Sequence, residues 1–235
     1  MRKAIEERMS KRSFEKEPLS KEIQEKIRTM IAERNQKSGL TMEFVEDGSV
    51  AFRSFKVTYG MFKNVRSMIL MKAKKQDEHG KEKIGYYGED IILDLTDMGL
   101  GTCWVAGTYD KTVFNIEDDE ELYAVIVVGK ALQPSLKQKI MRSGFSGKKK
   151  SVEELLEAIS PAPEWVLKGM EAVRLAPSAV NKQKYRFHYD GENLTADVPD
   201  DYPTDLIDLG IAKRHFEVEA GGLFDLGNGA CFTKF

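Results

Sequence analysis

Residues 176–187 read APSAVNKQKYRF, a proline-stopped junction from which the rest of the chain can be ordered. Pro177 ends the helix that the spacing over Glu164 to Leu175 predicts. A strand or two follow this string, and a further helix is expected from about Thr204 to Glu219. Between helix and strand, Ser178, Asn181 and Gln183 offer a hydroxyl and two amides that can present donors and acceptors to a planar heterocycle. The same residues alone also fit a plain polar loop.

Upstream, Ser151 with Glu154 has capping-box spacing, and the Lys-, Ser- and Gly-rich stretch Gln133 to Lys150 before it reads as a linker. The valine-rich run Leu122 to Val128 suits a central strand buried on both faces. Ile84, Tyr87, Ile91, Leu95 and Met98 form one stripe of a helix over Lys81 to Leu100, ended by the glycines of MGLGTCW. Leu40 to Val45 and Phe55 to Tyr59 alternate as half-buried strands do, and Met68 to Met71 reads as a more buried one. Ser20 caps a helix carrying Ile23, Ile27, Met30 and Ile31, while Ile5 to Arg12 is charged and helix-prone. These elements give an α+β chain, and the echo between EDIILDLTDMGLG and DLIDLGIAKRHFEVEAGG admits a degenerate duplication with halves 1–150 and 151–235.

Composition narrows the function. The 36 basic and 38 acidic side chains among 235 residues leave a net charge of −2, so no global field favours nucleic acid or an anionic membrane. No stretch approaches the ~20 apolar residues of a membrane helix, and the charged N-terminal residues contain no signal-like apolar core. Cys103 and Cys231 lack CxxC spacing, which argues against a disulfide framework or a zinc site and suits a reducing, cytoplasmic setting. His79, His188 and His215 are scattered, so no metal is expected, and Cys103 reads as a small buried thiol.

Two further clusters carry chemistry. Arg8, Ser10 and Arg12, on a short helical or turn segment, project two guanidinium groups and a hydroxyl of the kind that grips a phosphate, although a solvated charged helix has the same composition. Residues 99–107, GLGTCWVAG, hold glycines that permit close backbone approach to a ligand or simply cap a helix. The GxGxxG spacing of a dinucleotide fold is absent.

Taken together, RMSKRSF at 8–14, APSAVNKQ at 176–183, GLGTCWVAG at 99–107 and GKKKSVEEL at 147–155 resemble the FMN-dependent nitroreductases across nearly the whole chain. The resemblance implies a three-layer α/β/α fold with a mixed, largely antiparallel sheet. It implies FMN with its phosphate and ribityl chain on Arg8, Ser10 and Arg12, joined by Lys149 or Lys150. Pro177, Ser178, Asn181 and Gln183 then lie along the ring, with backbone of Val105 and Ala106 at its N5 side. It also implies hydride transfer from NADH or NADPH to a small-molecule acceptor such as a nitroaromatic or quinone, with the cofactor doing the chemistry.

Two departures qualify the resemblance. The family places its PSxxNxQ segment soon after the opening helix, whereas here that early position holds IAERNQKSGLTMEFVED and the segment follows Lys150. A single chain imitating the family's dimer accounts for this, as a monomer or weak homo-oligomer with one FMN site. Lys184 and Tyr185 also stand where the family has Pro-Trp, which keeps two other readings open: a flavin-storage or sensing protein without turnover, and a cofactor-free interaction scaffold.

Overall fold

The valine run forms the interior strand of an antiparallel sheet. In the computed structural model, which describes residues 1–132 and 149–235, β4 (Glu120–Gly129) pairs with β2 (Ser67–Lys74) on one side and β3 (Gly101–Val105) on the other. β1 (Glu43–Val45) completes the order β1-β2-β4-β3. Ala124 to Val128 are all buried, as in a strand covered on both faces. One face builds a core of Phe14, Val65, Met68, Leu70, Cys103, Val105, Val125 and Val127. Cys103 is thereby a packing residue, buried within that core.

The described residues divide into two compact units. A sheet unit comprises Arg8–Gly80 and the described part of Ile91–Ile140, and a C-terminal unit comprises Met1–Glu7, Lys81–Asp90 and the described part of Met141–Phe235. Each unit thus draws on separated stretches of the chain. The linker-like stretch 133–150 lies outside the described residues apart from Lys149 and Lys150.

Several helices follow their sequence signals. α2 (Lys21–Ser38) starts where the Ser20 hydroxyl accepts the Ile23 N–H and ends at Gly39 with φ of 73°. Its N-cap and left-handed C-cap satisfy backbone groups that a helix end leaves open. α1 (Lys3–Glu7) stops earlier than the composition predicts, because Ser10 pairs with Thr102 of β3 instead. Phe55 to Tyr59 corrects the expectation of a strand: Phe55–Thr58 is the single helical turn α3. Its alternation did not reflect half-burial, since Phe55 and Tyr59 are both exposed, and β1 already occupies that edge of β2.

α4 (Gly80–Asp97) is buried around most of its circumference through Ile91, Ile92, Leu93 and Leu95, while Met98 at the end of the expected stripe is exposed. Such all-round burial marks an interior helix rather than an amphipathic surface one. In the C-terminal unit, α5 (Val152–Leu155) carries the capping box of Ser151 and Glu154 and leads into β5 (Leu156–Ala158). β5 lies parallel to β6 (Arg186–Tyr189), and β6 antiparallel to β7 (Leu194–Asp197). α6 (Glu164–Leu175), α7 (Asp205–Ala220) and a hairpin of β8 (Gly222–Phe224) and β9 (Phe232–Lys234) complete it.

α7 is buried on nearly every side although it carries Asp208, Lys213, His215 and Glu217. Buried polar and charged groups are tolerated when they are paired, and the first half of α4 supplies the partners of Lys213 and His215. Lys213 Nζ lies 2.6 Å from Glu82 and also donates to the carbonyls of Asp225 and Gly227. His215 lies 2.9 Å from Glu89 and, through its other nitrogen, 3.0 Å from the Ala172 carbonyl. The two helices cross at glycines: a Cβ on Gly85 would fall 2.0 Å from the Ile207 carbonyl oxygen, and one on Gly210 2.0 Å from that of Glu82.

Candidate functional site

The expected phosphate residues occupy an extended segment, not a helix or turn. Ser10 bridges Thr102 in parallel, the Lys11 N–H donates to the Thr102 carbonyl at 2.8 Å, and Ser13 bridges Lys63. Pairing with β3 satisfies backbone groups that a second helical turn would otherwise have taken up. Alternation in an extended chain puts Ser10 and Arg12 on one side, with Arg8 two residues before them, and Lys11 on the other side. Lys11 there covers Gly101, where a Cβ would meet Lys11 Cγ at 2.9 Å and Ala131 Cβ at 2.6 Å. Gly101 thus admits a neighbouring strand rather than a ligand.

β3 then runs to the expected N5 side. Val105, buried, closes the ladder opposite Val125, and Ala106 steps out beyond it into an exposed position. Val105 lies three strand steps beyond Thr102, which sits beside Ser10, a span of about 10 Å. Within the sheet unit, Ser10 and Lys11 thus meet β3 at Thr102, and Val105 and Ala106 lie at the far end of the same strand.

The C-terminal unit holds the remaining candidates. After α6, Pro177 leads into a tight turn at Ala179–Asn181 in which Val180 has φ of 45°, Asn181 57° and Gln183 45°. Left-handed non-glycine residues cost of order 1–3 kcal/mol each, and the β-branched Val180 is the least expected of the three. Ser178 closes the turn from within: its carbonyl accepts the Asn181 N–H at 3.0 Å and its hydroxyl the Gln183 N–H at 2.9 Å.

Gln183 is wholly buried, and its side-chain amide is committed inward. It donates to the Arg174 carbonyl at 3.1 Å and the Tyr185 hydroxyl at 3.2 Å, and accepts the Lys150 N–H at 2.9 Å. Lys150 Nζ donates to the Gln183 carbonyl at 2.8 Å, and partial burial with the nearby Arg186 charge lowers the pKa of its ammonium. Lys149 lies beside the Leu175 carbonyl at 3.5 Å. Gln183 thus fixes the turn's shape, while Ser178, Val180 and Asn181 form its outward part. Lys184 and Tyr185 are also turned to structure, with Lys184 on Asp201 and Asp205 and Tyr185 fully buried.

Sequence reasoning missed Asp208. Both of its carboxylate oxygens accept the Ala179 N–H, at 3.1 and 2.9 Å, from a position on α7 that is almost fully buried. Desolvation, reinforced by Asp205, pushes its pKa up to about 7, against the opposing pull of the Ala179 N–H and Lys184. The available signal was an acid set between Ile207 and Leu209 in a helix otherwise destined for the interior. Among the described residues no group of His, Cys, Asp and Glu is placed to hold a metal, and no helix is long and apolar enough to cross a membrane.

No curated protein matches the sequence. Among solved structures, a "putative nitroreductase" from Thermotoga maritima superposes with a TM-score of 0.64 at 22% identity, over 97% of this chain and 90% of that one. An FMN-dependent nitroreductase from Clostridium difficile aligns at 18% identity over 57% of this chain and 90% of its own, with a TM-score of 0.45. A nitroreductase family protein from Clostridium novyi gives 21% identity, 55% and 84% coverage and a TM-score of 0.45. The first of these likenesses shows the fold. The family model described as "Putative TM nitroreductase" matches residues 1–220, and the chain belongs to that nitroreductase-like family.

Proposed function

We propose that this protein is an FMN-binding oxidoreductase that takes hydride from NADH or NADPH and passes it to a small-molecule acceptor of the nitroaromatic or quinone type. The observation that carries the reading is that the Arg8–Arg12 segment of the sheet unit is tied through Ser10 and Lys11 to Thr102 of β3, the strand that ends in Val105 and Ala106. Guanidinium groups and a hydroxyl suit phosphate oxygens, and an exposed backbone step at a strand end suits a ring edge. The donor set therefore fits FMN.

In this reading Arg8 and Arg12 neutralise and orient the phosphate and Ser10 fills a remaining acceptor. Val105 and Ala106 offer main chain near N5; within the C-terminal unit, Ser178 and Asn181, on the strained turn under Pro177, are the candidates for ring contacts. Gln183 and Lys150 hold that turn from behind. Bound FMN supplies the hydride relay, so no side chain of this chain need act as an obligatory acid or base. The chain then works as a monomer that imitates the family's dimer and carries one FMN.

The test is to load purified protein with FMN, remove the excess, count released flavin by absorbance, and follow NADH or NADPH oxidation with a quinone. One FMN per chain with steady turnover is the expected result. Retained flavin without turnover would favour storage or sensing, and a protein that cannot be loaded would favour a scaffold. Arg12→Ala should weaken FMN binding by about tenfold or more, the value of one charge-assisted phosphate contact.

A further inference from the structure

The turn at 178–183 is strained in its middle and closed within itself. Asn181 and Gln183 give their N–H groups to Ser178, and Lys182 gives its own to the Ala179 carbonyl. Ala179, the residue before left-handed Val180, instead directs its N–H out of the turn to α7, where Asp208 receives it on both oxygens. Lys184, the nearest cation, forms its ion pair with Asp205 and not with Asp208. The carboxylate is thus buried beside a backbone donor rather than an ion-pair partner.

We infer that Asp208 is the positioning residue of the ring-contacting turn: by accepting the Ala179 N–H it holds Val180 and Asn181 left-handed, and Ser178 and Asn181 meet the flavin ring only while it does so. This rests on the flavin reading given above. An ionised carboxylate accepts an N–H more strongly than a neutral acid. The charged groups acting on Asp208 are Asp205, which opposes ionisation, and Lys184, which favours it, and burial divides the acid between its two forms near neutrality. The grip on Ala179 therefore tightens as pH rises through that range.

The experiment compares wild type with Asp208→Asn, and with Asp208→Ser as a second variant should the first fold poorly. FMN dissociation constants are measured by flavin fluorescence from mildly acidic to mildly alkaline pH, and exchange of the Ala179 amide is followed in the flavin-free proteins. Ionisation of the FMN phosphate is common to all three proteins and cancels in the comparison. Expected is a wild-type affinity that rises above the variants' by about tenfold on the alkaline side and converges with it on the acid side, the worth of one charge-assisted bond. Ala179 protection should rise with pH in the wild type alone. Parallel affinity profiles would overturn the role of Asp208 while leaving FMN binding intact. Failure of every form to bind FMN would instead overturn the flavin reading, and this assignment with it.

Discussion

Asp208 makes stability depend on pH in a direction unusual for a carboxylate. Its folded pKa lies near 7, above the ordinary carboxylate range, so the folded chain keeps a proton that the unfolded chain releases. The resulting stability is present below the ordinary carboxylate pKa and is lost as pH rises toward about 7. Asp208→Asn removes that loss, and urea midpoints should show the variant gaining on wild type between about pH 4 and pH 7. Gln183→Ala should act differently. It strands the Lys150 N–H, the Arg174 carbonyl and the Tyr185 hydroxyl, and should cost about 1–3 kcal/mol with no flavin present. Arg8, Ser10 and Arg12 stand out in the sequence as phosphate candidates because their chemistry is local to one string. Asp208 does not, because its partner is a backbone N–H 29 residues away.

At the scale of elements, the crossing of α4 and α7 leaves no room for a side chain. Gly210→Ala should destabilise by about 3 kcal/mol or more, read as a lowered denaturation midpoint, since its Cβ would collide with backbone rather than with a yielding side chain. Lys213→Met should cost about 3–5 kcal/mol by abandoning Glu82 in the interior, and adding Glu82→Leu should recover part of that loss. The extent of α4 was legible from apolar spacing and its closing glycines. Its all-round burial was not, because one-stripe periodicity carries no information about what covers the other faces. Phe55 to Tyr59 misled for a related reason: five alternating residues specify a strand only where a free edge receives them, and β1 already pairs with that side of β2.

For the whole molecule, the composite reading expects sedimentation as a single chain carrying one FMN. Two equivalent flavins per chain, or an obligatory dimer, would exclude it. The α+β class and the antiparallel sheet were legible from the valine run, the helix signals and the family strings. The interleaving of the two units was not, since nothing local marks Met1–Glu7 and Lys81–Asp90 as belonging with the C-terminal residues.

The same pairing of α4 with α7 has a consequence for synthesis. Glu82 meets Lys213 across 131 residues and Glu89 meets His215 across 126, so both acids leave the ribosome well before the bases that accompany them indoors. At ~5–20 residues per second the wait is on the order of ten seconds. During that interval the first half of α4 has two acidic side chains bound for the interior without the partners that pair with them, and its docking belongs among the last events of folding. A chain interrupted before Lys213 should remain in the custody of chaperones, however complete its four-stranded sheet.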